Sequence, residues 1–502
     1  MEKTVFNTPF VKKFKTPDNR YLYDVNSNRL VRVDAITHDL IEEIDQLNLE
    51  QIVQKFAHLY SPKFIRKTYN KLLRLKVESN LFSSRRPKIT SGFRSEADVK
   101  VVYNPDLRQL ILQVSQDCNQ RCRYCPFSGT YPLERTHNAS AMSWEIAQKT
   151  LDFFITHSSD TLKNGIVPAV TFYGGEPLLN FGLIRQVIEY IKTKGVFNRF
   201  RFSFTTNGTL LKEDAIKFLV ENKITILVSL DGPKKLNDRY RVFVNGRGTF
   251  DPLFKNLKKL KRYNREYFEN HVFFNVGIVP PTDFPAIKKF FYRSKFFEPF
   301  RDKIMFFFVN ANENTFFQDY HLEGQKEKVN EQLSRLERRY SKALIEDKYE
   351  ELTIEKGLFL KAFHAIACRP IEPLRHICSP RGTCIPGLRR LFVDITGAFY
   401  MCERVGSHYP IGHVDTGFDY RRILEFYKEY DGFFFDCSDC WAVRLCTKCF
   451  NNIRKGGNFD HERKAAFCRK KLRSLEQNLV NYCRVIEKRS DAFKFMETIE
   501  IT

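Results

Sequence analysis

The stretch Leu110-Ile111-Leu112-Gln113-Val114-Ser115-Gln116-Asp117-Cys118-Asn119-Gln120-Arg121-Cys122-Arg123-Tyr124-Cys125 decides how this chain is read. Leu110 to Val114 has the apolar make-up of a buried strand. It runs straight into a loop with three cysteines, Cys118, Cys122 and Cys125. Three thiolates can bind one metal centre and leave it a ligand short. A structural zinc site wants four closed ligands. The pattern therefore points to an iron–sulfur cubane with one iron open to a cofactor or substrate. A zinc site completed by a distant fourth ligand is the alternative.

Working outward, strands and helices alternate from 106 to 310. Val167 to Tyr173, Phe200 to Thr206, Ile224 to Leu230, Val272 to Val279 and Ile304 to Val309 follow the first strand. Helical patterns lie between them, one from Ser143 and one over Phe181 to Ile191. This alternation predicts an α/β unit with a parallel sheet, open or curled into part of a barrel. In such sheets the chemistry gathers at the carboxyl ends of the strands. Gly174-Gly175-Glu176-Pro177, Thr206-Asn207-Gly208-Thr209 and Ser229-Leu230-Asp231-Gly232-Pro233 stand at those ends. Alone, each reads as a turn. Together they offer glycines that admit close approach of a ligand to the backbone. They also offer a carboxylate, Glu176, that can accept hydrogen bonds.

The chain has 502 residues, so two or three domains are expected. Residues 1–90 read as a small α+β unit. Tyr21 to Asp34 predicts a hairpin turning at Asn26, Ser27 and Asn28. Three helical patterns follow: Ile36, Leu40, Ile44; then Ile52, Phe56, Leu59; then Ile65, Tyr69, Leu72, Leu73 behind Ser61-Pro62. This suggests a winged-helix-like shape. Ser83 to Asp98 reads as a polar, basic linker. Residues 311–365 read as a helical bridge, 366–475 as a cysteine-rich domain, and 476–502 as a C-terminal helical tail.

Ten of the thirteen cysteines fall between 368 and 483. Met1 to Phe14 lacks the apolar core of a secretion signal, which predicts a cytoplasmic chain whose thiols serve metals. Cys437-x2-Cys440 and Cys446-x2-Cys449 are metal-type pairs, with a zinc ribbon as the alternative to clusters. Cys368 and Cys483 read as small buried or free thiols. The formal charge of +23 predicts attraction to something acidic, whether nucleic acid, anionic membrane or acidic peptide. No apolar run of about 18 residues predicts a membrane span.

These motifs resemble the radical S-adenosylmethionine (radical SAM) superfamily, with its Cys-x3-Cys-x2-Cys loop after the first strand and an aromatic residue, here Tyr124, before the last Cys. The resemblance implies a partial (β/α)6 TIM-like barrel. Cys118, Cys122 and Cys125 would hold a 4Fe–4S cluster whose open iron chelates S-adenosyl-L-methionine. Tyr124, Gly174, Gly175, Glu176, Thr206, Asn207 and Ser229 would contact that cofactor. Its cleavage gives methionine and a 5′-deoxyadenosyl radical. Ser229 to Gly232 with Asp238 and Arg241 resembles a stretch of the peptide-modifying branch, although Asn237 stands where many members have His.

The C-terminal cysteines resemble the SPASM domain. By that likeness Cys378, Cys384, Cys402 and Cys449 hold one auxiliary 4Fe–4S cluster. Cys437, Cys440, Cys446 and Cys468 hold a second, making three clusters. The Cys446 to Cys449 step is one residue shorter than the usual pattern. Glu403 follows Cys402 where related sulfatase-maturing enzymes carry a catalytic base; its alternative is a surface Glu paired with Arg404. Residues 1–90 resemble the peptide-recognition element of ribosomal-peptide maturases, whose edge strand captures a leader. Arg66, Lys67, Lys71 and Arg74 do not make a recognition helix rich enough to prefer nucleic acid.

The expectation is a radical SAM oxidoreductase that modifies a ribosomally made precursor peptide bearing a leader, with a thioether from Cys sulfur to carbon as the link. Flavodoxin or ferredoxin would donate electrons. A formylglycine-forming sulfatase-maturing enzyme, a carbon–carbon peptide crosslinker and a tRNA-modifying radical enzyme are the alternatives.

Overall fold

An antiparallel sheet opens the chain, with β1 (Val11–Lys15), β2 (Arg20–Asp24) and β3 (Arg29–Val33) in that order. The computed structural model describes residues 8–103, 107–131, 136–158, 161, 163–309, 315–318, 323–379, 387, 389–447 and 449–499. The expected hairpin is β2–β3. Asn28 turns it at φ 60°, and the Tyr23 hydroxyl donates to the Asn28 side chain at 2.6 Å. β1 is an addition to the expected pair. Its sequence VKKFK buries only Phe14 fully, so the strand pattern is too faint to read.

Helices α1 (Ala35–Leu40), α2 (Leu49–Phe56) and α3 (Pro62–Glu78) follow. Leu22, Leu40, Ile44, Ile52, Ile65 and Leu72 form their shared core. Asn48 and Gln51 close a capping box at the start of α2. Leu59, expected on its apolar face, lies past its end and is 57% exposed.

Ser83 to Asp98 is docked rather than a loose linker. Within it β4 (Lys88–Ile89) pairs in parallel with Ile377–Cys378. The hydroxyls of Thr90 and Ser91 donate to Asp431 at 2.7 and 2.8 Å. The polar residues that suggested a linker are satisfied by partners far along the chain.

Six parallel strands form the centre: β5 (Gln109–Ser115), β6 (Ala169–Gly174), β7 (Arg201–Thr206), β8 (Thr225–Ser229), β9 (Val272–Ile278) and β10 (Ile304–Phe308), hydrogen-bonded in chain order. Val170, Phe172, Phe202, Phe204, Ile226 and Val228 are buried. They alternate with residues that line a central cavity. Gln109, Thr171, Ser203, Thr225, Phe273 and Phe306, one from each strand, line the same cavity of about 1610 Å³. The sheet therefore curls around it. β10 and β5 do not pair, so the barrel is partial.

After β11 (Ile377–Cys378), β12 (Leu391–Val393) joins the free edge of β5 in parallel. Strands β13 (Ala398–Tyr400), β14 (Gly412–His413) and β15 (Gly417–Phe418) add antiparallel pairs, extending one sheet to ten strands. A helix over His461–Lys488 then crosses the expected boundary between 475 and 476 without a break. Leu475, Leu479 and Cys483 are buried at successive four-residue steps, so one apolar stripe continues through that boundary. Lys12 to Glu476 at 3.0 Å, Thr16 to Glu487 at 2.7 Å and Lys488 to Asp18 at 3.0 Å tie this helix to the N-terminal unit. Among the described residues no helix is long and apolar enough to cross a membrane.

Behind β9, Phe297 is fully buried and its ring lies within 4.9–6.1 Å of those of Phe254, Phe274, Phe290, Phe291 and Phe296. Phe297→Ala is expected to cost about 3–5 kcal/mol through lost burial and a residual cavity. The denaturant midpoint followed by circular dichroism checks it.

Candidate active site

The three-cysteine loop leaves the end of β5 and is pinned from two sides. The Arg121 and Arg123 amides donate to the carbonyls of Val242 and Tyr240 at 2.8 and 2.9 Å. The Gly175 and Glu176 amides donate to the carbonyls of Ser115 and Asp117 at 3.0 and 2.9 Å. A Cβ at Gly174 would stand 2.1 Å from the Ser115 carbonyl oxygen, and one at Gly175 2.1 Å from that of Asp117. These glycines thus serve the approach of one backbone to another. Both glycines also line the cavity, where the expected approach of a ligand would take place.

Glu176 is buried beneath the loop. One carboxylate oxygen accepts from the Thr206 hydroxyl at 2.8 Å and the Leu178 amide at 3.1 Å, and the other from the Asn207 amide at 2.7 Å. Burial pushes its pKa up, and these donors oppose the rise. The Asn207 side chain donates to Asn119 at 2.8 Å, so the strand-end motifs after β6 and β7 hold the cysteine loop from below.

Beside Cys122 lies a second buried network. The Tyr124 hydroxyl donates to Asp231 at 2.7 Å and accepts from Arg241 at 2.7 Å, while the Gly277 amide donates to Asp231 at 2.9 Å. Burial pushes the Asp231 carboxyl up in pKa, and the Arg241 guanidinium opposes that shift. Ser229 lines the same cavity.

Cys118, Cys122 and Cys125 all line the cavity. Burial is the main cause that raises their pKa values, Cys125 to about 12, and neighbouring thiols push Cys118 and Cys125 up further. Three such thiols can ionise together only around a cationic centre. Gln120 Nε2 and Arg241 Nε are sealed without a hydrogen-bond partner in the same wall. A soft three-thiolate donor set beside polar donors fits an iron–sulfur cluster carrying a polar cofactor.

The cavity extends the length of the strands. Its polar lining includes Gln109, which donates to Thr171 at 2.8 Å, and Thr171 lies 3.1 Å from the Ser203 hydroxyl. These residues were missed in the sequence. The signal was there: a parallel sheet covered on both faces reads as continuous apolar runs, whereas β6 to β8 alternate apolar with Thr and Ser.

Glu403 lines the cavity at its other end. Leu391 pairs with Leu110 in parallel, and Phe392 pairs with Tyr400 antiparallel, which sets Glu403 beside Arg390 near the amino end of β5. Arg390 donates to Glu403 at 3.0 Å, and Arg404 lies 3.6 Å from it. The seven residues of β5 span roughly 20 Å. Glu403 thus stands apart from the expected cofactor-contacting residues, which lie at the carboxyl strand ends.

Cys378 lies on β11, Cys402 follows β13, Cys437 and Cys440 flank a short turn, and Cys468 lies in the helix over His461–Lys488. Cys446 and Cys449 lie between that turn and that helix, and Cys384 is outside the described residues. Cys378, Cys402, Cys437, Cys440 and Cys446 pack partly buried against the main core. Among the described residues no three Cys, His, Asp or Glu side chains already stand together at ligand spacing. Cys483 is fully buried in its helix and Cys368 caps another, as small structural thiols do.

Residues 112–284 match the radical SAM superfamily model. The chain is 32% identical over 164 residues to a cysteine-type anaerobic sulfatase-maturating enzyme of Clostridium novyi, covering 32% of this chain and 42% of that protein. The match thus spans less than half of that relative. The chain is 23% identical over 424 residues to the radical SAM cyclopropyl synthase TigE of Paramaledivibacter caminithermalis, covering 79% of this chain and 77% of the relative. A solved structure described as native anSMEcpe with bound AdoMet and Kp18Cys peptide shares the fold, with TM-score 0.52 and 18% identity over 79% of this chain and all of that one.

Gly175→Ala is expected to leave a folded protein whose cysteine loop is displaced, with iron content after anaerobic reconstitution reduced by about one cluster. Tyr124→Phe removes the hydroxyl between Asp231 and Arg241 and is expected to cost about 1–3 kcal/mol. Its thermal midpoint checks this.

Proposed function

We propose, from the premise that residues 112–284 form a radical SAM domain, that this enzyme modifies a ribosomally made precursor peptide and links a Cys sulfur to carbon. A 4Fe–4S cluster and S-adenosyl-L-methionine, when bound, supply a hydrogen-abstracting 5′-deoxyadenosyl radical, and auxiliary clusters on the C-terminal cysteines supply one-electron acceptors. Cys118, Cys122 and Cys125 hold the first cluster; Glu176, Thr206, Asn207 and Ser229 face the cofactor. The observation that carries the reading is one cavity joining the cysteine loop to Glu403, its mostly apolar lining interrupted by the polar side chains of Gln109, Thr171, Ser203 and Thr225. An extended peptide fits such a lining, because hydroxyl and amide side chains can meet its backbone groups.

Forming a thioether from a thiol and a C–H bond releases two protons and two electrons. One hydrogen atom leaves to the radical, and the other proton and electron leave separately. In this reading Glu403, which accepts a hydrogen bond from Arg390, takes that proton from the part of the peptide reaching its end of the cavity. The peptide-bound structure sharing this fold supports a peptide substrate.

The N-terminal sheet supports leader capture. β1 is flanked by the C-terminal helix, whereas β3 is the outer strand on the other side. On α3, Phe64, Lys67, Lys71 and Arg74 share one exposed face. A strand added to β3, in a unit that also carries this basic face, would suit an acidic leader. A second reading, oxidation of a sulfatase cysteine to an aldehyde, is favoured by the sulfatase-maturating relative.

Coexpression with each small Cys-containing reading frame encoded beside the gene, followed by tandem mass spectrometry, tests the reading. A loss of two hydrogens per link, resistant to reduction and alkylation, is expected. An aldehyde in place of the thiol would establish the second reading, and an unchanged peptide beside a cluster-replete enzyme would sink both. Cys122→Ala is expected to abolish 5′-deoxyadenosine formation. Lys67→Glu with Lys71→Glu is expected to weaken precursor binding about tenfold at low salt, with the loss shrinking as salt rises.

A further inference from the structure

The cysteine loop borders a second, separate hollow. Asn119, the residue after Cys118, does not line the large cavity; it lines an open cleft of about 630 Å³ with Phe243, Val244, Arg247 and Pro252. A hairpin forms one side of this cleft. Gln120 bridges Phe243, Val242 bridges Gly248, and the Arg121 amide donates to the Val242 carbonyl at 2.8 Å. The chain turns at Gly246, φ 79°, and leaves Val244 at the tip 66% exposed. A Cβ at Gly248 would collide with Asp238, whose carboxylate accepts from the Thr249 and Phe250 amides at 2.9 and 2.8 Å. The hairpin is thereby fixed to the start of the helix over Phe250–Tyr263.

That helix meets the cleft at Pro252 and carries Lys255, Lys259 and Arg262 three, seven and ten positions further on, along one side. These three and Arg247 are exposed, and none forms an ion pair among the described residues. The flanking cations differ: Lys234 pairs with Asp251, and Arg265 with Glu269 at 2.7 Å. The strip is tied to the cysteine loop. Asn256 donates to the carbonyls of Gly208 and Thr209 at 3.1 and 3.0 Å, and Asn119 donates to the Thr209 hydroxyl at 2.9 Å.

We propose that this cleft and the strip of Arg247, Lys255, Lys259 and Arg262 form the docking surface for an acidic one-electron carrier protein. This rests on the radical reading and deepens it. Cleavage of the cofactor requires an electron from outside. The cavity side of the loop faces cofactor and peptide, so a carrier protein approaches from the cleft side, where Asn119 stands one residue from a cluster ligand. The carrier loses one electron, the cluster on Cys118, Cys122 and Cys125 gains it, and no bond forms or breaks. A small apolar spot at Val244 and Pro252 beside unpaired positive charge suits such an encounter, in which the contact is small and charge sets the association rate.

The test uses full-length, cluster-replete enzyme and an acidic flavodoxin without oxygen. Titration calorimetry measures binding of oxidised flavodoxin, and stopped-flow absorbance follows cluster bleaching by the photoreduced form at limiting concentration. Lys255→Gln with Lys259→Gln and Arg262→Gln is expected to lower affinity and bleaching rate about tenfold at low salt, the difference shrinking as salt rises. Bleaching by photoreduced deazaflavin, too small to need a docking surface, is expected to stay unchanged. Lys67→Gln with Lys71→Gln on α3 is the control for general attraction to a basic protein.

Unchanged flavodoxin binding and bleaching in the triple variant would overturn the proposal. So would an equal loss in the α3 control. A triple variant that keeps flavodoxin but loses an end-capped oligoglutamate peptide would also overturn it, since the strip would then hold peptide. Should the triple variant lose iron, Val244→Asp decides: slower bleaching by flavodoxin alone supports the surface, and an unchanged rate overturns it. Deoxyadenosine formation with deazaflavin as reductant fails if the radical reading is wrong, while flavodoxin binding to the strip persists.

Discussion

The approach of the β6 exit to the β5 exit is the constraint on which the site depends. Gly174 and Gly175 lie so close to Ser115 and Asp117 that no side chain fits between. Two amide-to-carbonyl hydrogen bonds fasten the contact. It fixes where the cysteine loop leaves the sheet and carries Glu176 beneath it. Glu176 in turn orders Thr206 and Asn207, and Asn207 reaches back to Asn119. A closed ring of short contacts therefore sets the place of three thiols whose own loop has no regular structure.

From that end to the other, the sheet divides its two faces by function. The outward face of β6 to β8 carries Val, Phe and Ile against helices, where burial holds the fold. The inward face carries Thr171, Ser203, Thr205, Thr225 and Ser229 beside Tyr173 and Leu227, and its hydroxyls supply hydrogen-bonding groups to the cavity. The cysteine-rich half closes the far end by joining β12 to β5, so that Glu403 and Arg390 share a lining with Cys118. A barrel left open between β10 and β5 gains a wall from outside itself.

The parallel core was legible because its strands are apolar enough to stand out and their ends carry Gly, Asn and Asp. The cysteine spacing pointed to metal for the same reason: thiols this dense in a loop have few other uses. Other features were hidden by causes that spacing cannot encode. β1 is mostly Lys and depends on its pairing with β2. The Ser83 to Asp98 segment looks like a tether because its partners, Asp431 and the Ile377–Cys378 backbone, are hundreds of residues away. Glu403 was found by its neighbour in sequence, but its place at the amino strand ends follows from the parallel pairing of β12, which three residues cannot announce. The roles of Gly174 and Gly175 were inferred from flexibility, and only three-dimensional proximity shows what they touch.

The helix over His461–Lys488 has a mechanical consequence. Its 28 residues make a rod roughly 40 Å long, bearing Cys468 near one end and gripping the N-terminal sheet through Glu476 and Glu487 towards the other. A rod clamped at both stations does not let the two regions drift. If one stretch of a guest is anchored on the sheet while another reacts in the barrel, the intervening chain must bridge a set gap. The enzyme would then measure its guest with a ruler, accepting spacers long enough to reach and rejecting shorter ones whatever their composition.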